Sequence, residues 1–568
     1  MNSSGRLAAP FFWTVATLLL LVGLGSPSLR GSEDRFAEIT REMILSGDYF
    51  HPTLNGEPHF HKPLASYWAI AGASRVLGTL DELAARLPSV LAGLLALWAT
   101  VRLGRELWNP IVGRTAGWVL LGSYGFLLWS RTAAADMENL AAVILAVTWF
   151  RCREDRLTMA FYLVFVLICV VGAHAKGLAA IVLPALVLFP HLARHGQWRA
   201  HLSPSVLVAA AVAVIVYFAP FIAADIARPD LDSVDALVSG DTRSGLYMVF
   251  QENVRRFYAP HDHQGPITTY LFALPVLLLP WALVWIAALL DCAREWVRLE
   301  PETRWVLISI GLIFAVFTAA GSRRSYYILP IVPFCALLVA AVLDGEARGR
   351  FVERALRWTA IALAAVMGAE LAVALLAPVL GSVYGVSVPP ALVMVTLMLA
   401  AFARLIWVRA DTIASCRALK LGLPPGVVCP TALSVVVLGG YFALQAPLLD
   451  RFRTERPFAL ALRGASADLD AGRVAFVRHA PSLFPFYLDA PEPLPVLGVV
   501  SDVTRFAAGG RGLIVASPRS LSRLGGETPR VFERPPDLQE GLYPWDQKDE
   551  RLAAWWVGGE VSPKGPGD

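Results

Sequence analysis

The chain has 568 residues, of which 56% are hydrophobic and only 17% charged, and its formal net charge is +4. Together with a mean hydropathy of +0.55, this excludes an ordinary soluble globular protein and implies a polytopic membrane protein. The excess positive charge lies in arginines at the ends of apolar runs, where membrane topology places them, so there is no nucleic-acid footprint.

About thirteen apolar stretches are candidates to cross a bilayer as helices of roughly 20 residues. They begin near Pro10, Leu87, Thr115, Met137, Met159, Gly177, Pro204, Ile267, Arg304, Tyr326, Leu356, Pro389 and Val427. The first, Pro10 to Leu24, is short and followed by small residues, as a signal peptide would be. It reads better as the first span, because removing it would set the next span against the arginine pattern. Arg102, Arg105 and Arg114, then Arg151, Arg153 and Arg156, then Arg194 and Arg199 fall in alternate short loops, which the positive-inside rule assigns to the cytoplasm. Arg294, Arg298 and Arg304 and the later arginines continue the series, and an odd number of spans then puts the tail outside. The expected location is the cytoplasmic (inner) membrane.

Two polar insertions interrupt the spans on the outer side, residues 27–86 and 225–266. In the first, Phe36, Ile39, Met43 and Ile44 recur at helical spacing beside Glu38, Arg41 and Glu42, predicting a helix lying in the membrane interface. Pro52, Asn55-Gly56 and Pro58 break the chain before a second apolar stretch, Leu64 to Leu77. The tail changes character: Arg473 to Val477 and Leu513 to Ala516 are short strand-like runs between Pro and Gly signals, predicting a small α/β domain. The expected organisation is a transmembrane domain over 1–446 and an extracytoplasmic domain over 447–568. All six cysteines fall in spans or predicted inner loops without a CxxC, which argues against disulfides and a cysteine metal site.

The odd polar clusters nearly all fall on the outer side. An ionisable group at the membrane edge costs roughly 2.5 to 3.5 kcal/mol unless it has a partner, a cavity or a function, so their convergence predicts one shared site. Glu33-Asp34-Arg35 offers a general base or metal ligand beside a cation, or merely an acidic helix start with Ser32 as N-cap. His59-Phe60-His61-Lys62-Pro63 combines anion binding with a weak His-x-His metal signal; the plainer reading is a snorkelling lysine. Arg131 and Asp136 flank two spans and can pair with each other, whereas Lys176 has no acid nearby in sequence. Glu252 to His263 supplies Arg256 and a distant imidazole, His263, able to complete a divalent metal site with His61. Arg323, Arg324, Tyr326 and Tyr327 are suited to phosphate oxygens, or to interfacial anchoring.

Taken together these motifs resemble a known family. Arg35-Phe36-Ala37-Glu38-Ile39, Arg41-Glu42-Met43, Ser46-Gly47-Asp48, Leu54-Asn55-Gly56 and Lys62-Pro63 look like the first outer loop of bacterial aminoarabinose-lipid A transferases. These are relatives of the protein O-mannosyltransferases, within the polyprenyl-phosphate-dependent glycosyltransferases. The resemblance continues through Arg86-Leu87-Pro88-Ser89, Arg131-Thr132-Ala133, Asp136-Met137, Ala175-Lys176-Gly177, Glu252-Asn253, Arg256-Phe257, His263, Leu279-Pro280-Trp281 and Ser322 to Pro330. Two positions depart from the family pattern: Ser32 stands where the loop's first Asp is usual, and His61 where a Glu precedes Lys-Pro.

The resemblance implies the C-type glycosyltransferase fold, all-α in the membrane, and transfer of one sugar from a polyprenyl-phosphate donor. The acceptor would be a lipid A-like membrane lipid, a protein or another envelope glycan. Glu33, Asp34 and Asp136 are the expected catalytic carboxylates. Lys62, Arg35, Arg131, Lys176, Arg256, Arg323 and Tyr327 would hold the donor phosphate, and His61 and His263 a divalent metal ion. The alternative from another class is a non-enzymatic binder or transporter of lipid-linked glycans.

Overall fold

The computed structural model describes residues 4–60, 62–194, 196–227, 244–255, 265–344, 349–384, 390–408, 423–424, 426–450, 453, 455–470, 472–517, 519–520 and 552–558. The chain divides into two compact units, Met1–Ser26 with Phe60–Leu448, and Pro27–His59 with Leu449–Asp568. The first part of the expected outer loop 27–86 therefore groups with the tail, and the boundary at 446/447 does not separate them.

The first unit is helical. Its first half comprises α1 (Ser4–Leu21), α3 (Ala65–Leu77), α4 (Glu82–Leu107), α5 (Pro110–Leu121), α6 (Tyr124–Ser130), α7 (Asp136–Arg153), α8 (Met159–Lys176), α9 (Ala179–Arg194) and α10 (Pro204–Ile226). Local chemistry sets several starts. Asp81 accepts from the Ala84 N–H at 2.9 Å, and Asn109 accepts from Ile111 and Val112 just before Pro110, each satisfying donors that a helix start leaves open. Small residues let the helices close up. A Cβ on Gly104 of α4 would lie 2.8 Å from the Cα of Gly113 on α5, so both positions need glycine. Leu97, Leu103, Val112, Ala116, Leu140, Ile144 and Val147 fill the resulting core. α1 joins it through Phe12, Ala16 and Leu20.

Among the described residues seven helices are long and apolar enough to cross a membrane, or up to nine if each of two bent pairs is one span. Further apolar sequence falls in shorter helices such as Ala179–Arg194 and Leu329–Asp344. The bent pairs are Pro110–Leu121 with Tyr124–Ser130, at 69°, and Thr269–Leu277 with Ala282–Arg294, at 114°. Their breaks meet: the Tyr124 N–H donates to the Leu279 carbonyl at 2.8 Å. A backbone donor released by one broken helix is thus satisfied by the other, as a low-dielectric surrounding requires. The Leu279-Pro280-Trp281 motif is this second break, with Trp281 fully buried.

The second unit contains α2 (Glu33–Ser46), a hairpin of β1 (Thr53–Leu54) and β2 (Glu57–Pro58), and the tail's helices Glu455–Ala465, Leu483–Leu488 and Val500–Ala508. Its four-stranded sheet has β3 (Val474–Val477), β4 (Val496–Leu497), β5 (Gly512–Ala516) and β6 (Ala553–Val557) in the order β4-β3-β5-β6. β3 pairs in parallel with β4 and β5, and β6 runs antiparallel to β5. Ala475, Val477, Leu497, Val503, Ile514 and Val557 form its core. The predicted interfacial helix is corrected here: α2 forms as expected, but Phe36, Ile39 and Met43 are buried in protein, with Leu483–Leu488 packed alongside. An amphipathic stripe needs an apolar cover, and the tail supplies it in place of lipid.

Candidate active site

In the helical unit the predicted residues come together through a run of contacts. Lys62 Nζ donates to Glu252 Oε2 at 2.7 Å, with the lysine side chain 25% and the glutamate 10% exposed. Glu252 sits in a π-helical turn, Gln251–Arg255, that continues the Gly245–Phe250 helix. Asp225 anchors that helix, accepting from Ser244 Oγ at 2.8 Å and the Gly245 N–H at 2.6 Å. Next to Glu252, Asn253 accepts from the Leu178 N–H at 2.7 Å. Its Oδ1 would lie 2.6 Å from a Cβ on Gly177, whose φ is +118°. The Lys-Gly pair at 176–177 is thus explained: glycine lets the chain turn sharply after α8 and lets Asn253 approach.

Lys176, the last residue of α8, forms an ion pair with Asp136, the first residue of α7. Its ammonium also lies 4.7 Å from the ring centre of Tyr327 and 5.4 Å from that of Tyr326, within cation–π range. Tyr326 in turn packs on Trp129, with ring centres 4.2 Å apart. Two residues past Asp136, Glu138 Oε2 is buried with no hydrogen-bond partner among the described residues. Lys62, Glu252, Asn253, Lys176, Asp136 and the tyrosine pair are therefore one connected polar group at one end of α7 and α8.

Other predicted residues are placed differently. Arg131 binds backbone at the end of α1. It donates to the carbonyls of Leu19, Leu20, Val22 and Phe442 at 2.7 to 3.0 Å, which satisfies open acceptors at the end of α1. The expected Arg131–Asp136 pairing is replaced by Lys176–Asp136, so Lys176 has an acid close in space though none close in sequence. Arg323 donates to the Thr318 carbonyl at 3.0 and 3.1 Å and to the Gly265 carbonyl at 2.9 Å, tying the end of the Pro301–Ala319 helix to the segment before the Thr269–Leu277 helix. Arg256, His61 and His263 lie outside the described residues. Among the described residues no group of three or more His, Cys, Asp or Glu side chains could hold a metal ion.

Glu33, Asp34 and Arg35 belong to the second unit. Buried Glu33 accepts from the Arg30 N–H at 3.1 Å, a bond that ties the start of α2. Ser32 occupies the N-cap position but makes no side-chain cap bond. Asp34 accepts from Ser482 Oγ at 2.8 Å; burial pushes its carboxyl above the ordinary range, against the pull of that hydroxyl. Nearby, Glu38 and Arg41 form a forked pair at 2.7 and 2.8 Å. Arg41 also donates to the Ala490 carbonyl at 2.7 Å. Burial pushes the Glu38 carboxyl up to about 7, with Arg41 opposing. Glu252-Asn253 is itself one of the motifs and Glu138 lies two residues past Asp136, but nothing in the spacing pairs Glu252 with Lys62, 190 positions away.

Residues 61–223 match the family described as dolichyl-phosphate-mannose-protein mannosyltransferase, a segment that holds Lys62, Asp136 and Lys176. The chain is 28% identical over 338 residues to undecaprenyl phosphate-alpha-4-amino-4-deoxy-L-arabinose arabinosyl transferase 1 of Pseudomonas fluorescens (strain Pf0-1), covering 56% of this chain and 55% of the relative. It is 28% identical over 468 residues to the enzyme of that name from Aeromonas salmonicida, covering 79% of each. It is 31% identical over 318 residues to one from Sodalis glossinidius, covering 54% of each. In the first and third of these the chain spans about half the relative's length. The crystal structure of ArnT from Cupriavidus metallidurans bound to undecaprenyl phosphate matches over 100% of both chains, with a TM-score of 0.71 at 20% identity. Its apo form matches with a TM-score of 0.66 over 98% of both, again at 20% identity. In fold over its length and in sequence over residues 61–223, the chain resembles the polyprenyl-phosphate-dependent C-type glycosyltransferases.

Proposed function

We propose that the chain moves a single sugar from a polyprenyl-phosphate donor to an acceptor at the outer face of the cytoplasmic membrane. The observation that carries this reading is the connected group of Lys62, Glu252, Lys176, Asp136 and Tyr327 at one end of the helical unit. A sugar leaving a polyprenyl phosphate departs with a stable anion, so the leaving group needs fixed positive charge more than a proton. Lys62 and Lys176 supply it. Glu252 and Asp136 keep both ammonium groups charged and placed until a phosphate shares them, which is the preorganisation that makes such charge effective. Asp136 therefore acts as the counter-ion that positions Lys176 rather than as a base.

The base needs a separate argument. Glu33 and Asp34 each already serve a local bond, to the Arg30 N–H and the Ser482 hydroxyl. An acceptor that is itself an anion, such as a lipid phosphate, needs no deprotonation. This favours a phosphate-bearing membrane lipid of the lipid A kind over a protein hydroxyl. The names of the curated relatives support a pentose, 4-amino-4-deoxy-L-arabinose, as the sugar. The arginine-rich loops support the orientation that places the site and the tail outside.

The test is sugar transfer by the purified full chain, given undecaprenyl-phosphate aminoarabinose and lipid A, followed by mass spectrometry of the lipid product. A mass increase of one aminoarabinose is expected. Donor binding without transfer to lipid A, protein or envelope glycan would favour the non-enzymatic alternative. His61 and His263 are the proposed ligands of a divalent ion, tested by elemental analysis of the purified chain; protein free of divalent ions and active in chelator removes it.

A further inference from the structure

The Arg-rich end of α7 and α9 holds a polar cavity. Arg151 lies fifteen positions along α7 from Asp136, about 22 Å at 1.5 Å per residue, so this cavity is separate from the lysine cluster. It has a volume of about 210 Å³ and is lined by Arg151, His191, Arg194, Trp296, Arg304 and Trp305, with Glu302 also on its wall.

Its wiring is that of an anion site. Arg151 is held by Glu154 at 2.7 Å and lies over the Trp305 ring, 5.2 Å from its centre. Glu154 also accepts from His191 at 2.9 Å. Trp305 is fixed through its Nε1, which donates to the Val187 carbonyl at 2.7 Å. Arg304 spends Nε and one terminal nitrogen on the Leu299 carbonyl, and Arg194 is exposed at the lip. Arg151 Nε is buried with no hydrogen-bond partner among the described residues. An orphaned guanidinium donor in a protein interior is costly, and Arg151, Arg194 and Arg304 outnumber Glu154 and Glu302, leaving the site net positive.

We propose that this cavity binds a phosphate-bearing anion, with Arg151, Arg194 and Arg304 as its donors. Guanidinium forks match phosphate oxygens two at a time, and the exposed Trp296 beside them is suited to headgroup depth. A phosphoglyceride headgroup and free inorganic phosphate both present this chemistry.

The experiment uses the full chain in nanodiscs. Native mass spectrometry counts phosphatidylglycerol retained from phosphatidylcholine mixtures, and equilibrium dialysis measures binding of labelled inorganic phosphate in phosphatidylcholine alone. Arg151→Gln and the double variant Arg194→Gln/Arg304→Gln are compared with wild type. Arg153→Gln is the control, since Arg153 stacks on Trp149 with 4.4 Å to the ring centre and does not line the cavity. Binding is expected to fall about fivefold for each charge removed, and to be unchanged in Arg153→Gln. A fall in phosphatidylglycerol retention assigns the site to lipid; a fall in phosphate binding alone assigns it to free phosphate. The double variant leaves the Arg151–Glu154 pair intact, so a folded double variant binding both probes like wild type overturns the proposal.

Discussion

Asn55 and Leu494, 439 positions apart, hold each other by two hydrogen bonds: Asn55 Nδ2 donates to the Leu494 carbonyl at 2.9 Å, and Asn55 Oδ1 accepts from the Leu494 N–H at 2.7 Å. Asn55 sits at φ 52° in the two-residue turn between β1 and β2, followed by Gly56 at φ 77°, the left-handed pair that such hairpins favour. Glu42 closes the turn from below by accepting from the Asn55 N–H at 2.6 Å and the Gly56 N–H at 3.2 Å. The Leu54-Asn55-Gly56 motif is therefore a clasp within the second unit.

Replacing Asn55 with Ala removes both bonds and puts a residue less tolerant of the left-handed region at that turn. Local stability of the second unit should fall by about 2 to 3 kcal/mol. Hydrogen exchange of the full chain should then quicken at residues 490–497 and 53–58 while the helical unit is unchanged. Protection equal to wild type in both segments would show that the clasp carries no load.

Lys62→Ala should lower turnover on the order of a hundredfold or more, by analogy with removing one oxyanion donor. Lys62→Arg should rescue poorly, because a planar fork cannot take the place of a compact ammonium against Glu252. The comparison is Arg153→Ala, a residue of the Arg-rich end, which should transfer sugar normally. A well-folded Lys62→Ala protein with near-normal transfer would remove Lys62 from the donor site.

The Lys176–Asp136 pair should behave as a coupled unit. Both side chains are largely buried, at 18% and 8% exposure, so either single change to Ala strands the other charge and should cost about 3 to 5 kcal/mol. The double variant should be less destabilised than the sum of the singles, read from thermal unfolding in detergent. Additive losses would mean the contact is not energetically real.

Glu38 makes the second unit sensitive to pH. Burial raises its folded pKa to about 7 from an ordinary 4.5, so the folded state binds the proton more tightly than the unfolded chain. Stability therefore falls as pH rises from about 4.5 to about 7 and is level above that. The raised carboxyl of Asp34 acts with the same sign. Thermal unfolding between pH 5 and 8 should show wild type gaining on acidification relative to Glu38→Gln; parallel curves would remove this assignment.

Much of this was legible in the chain itself. Apolar runs and arginine loops depend on transfer free energies that add residue by residue, so a membrane helix can be read locally, as can α2 from its stripe and β3 and β5 from their apolar runs. Two-residue β4 and distant β6 carry too little local signal, and exist because β3 and β5 offer them edges. The charged motifs can be listed from the sequence, but their partners are matters of tertiary packing. Glu252 answers Lys62 from 190 residues away, Asp136 answers Lys176 instead of Arg131, and Arg131 is taken by carbonyls at the end of α1. A charge's partner is whichever opposite group the packed helices bring within reach, and that depends on the whole fold because Coulomb attraction and hydrogen bonding act through space, not along the sequence.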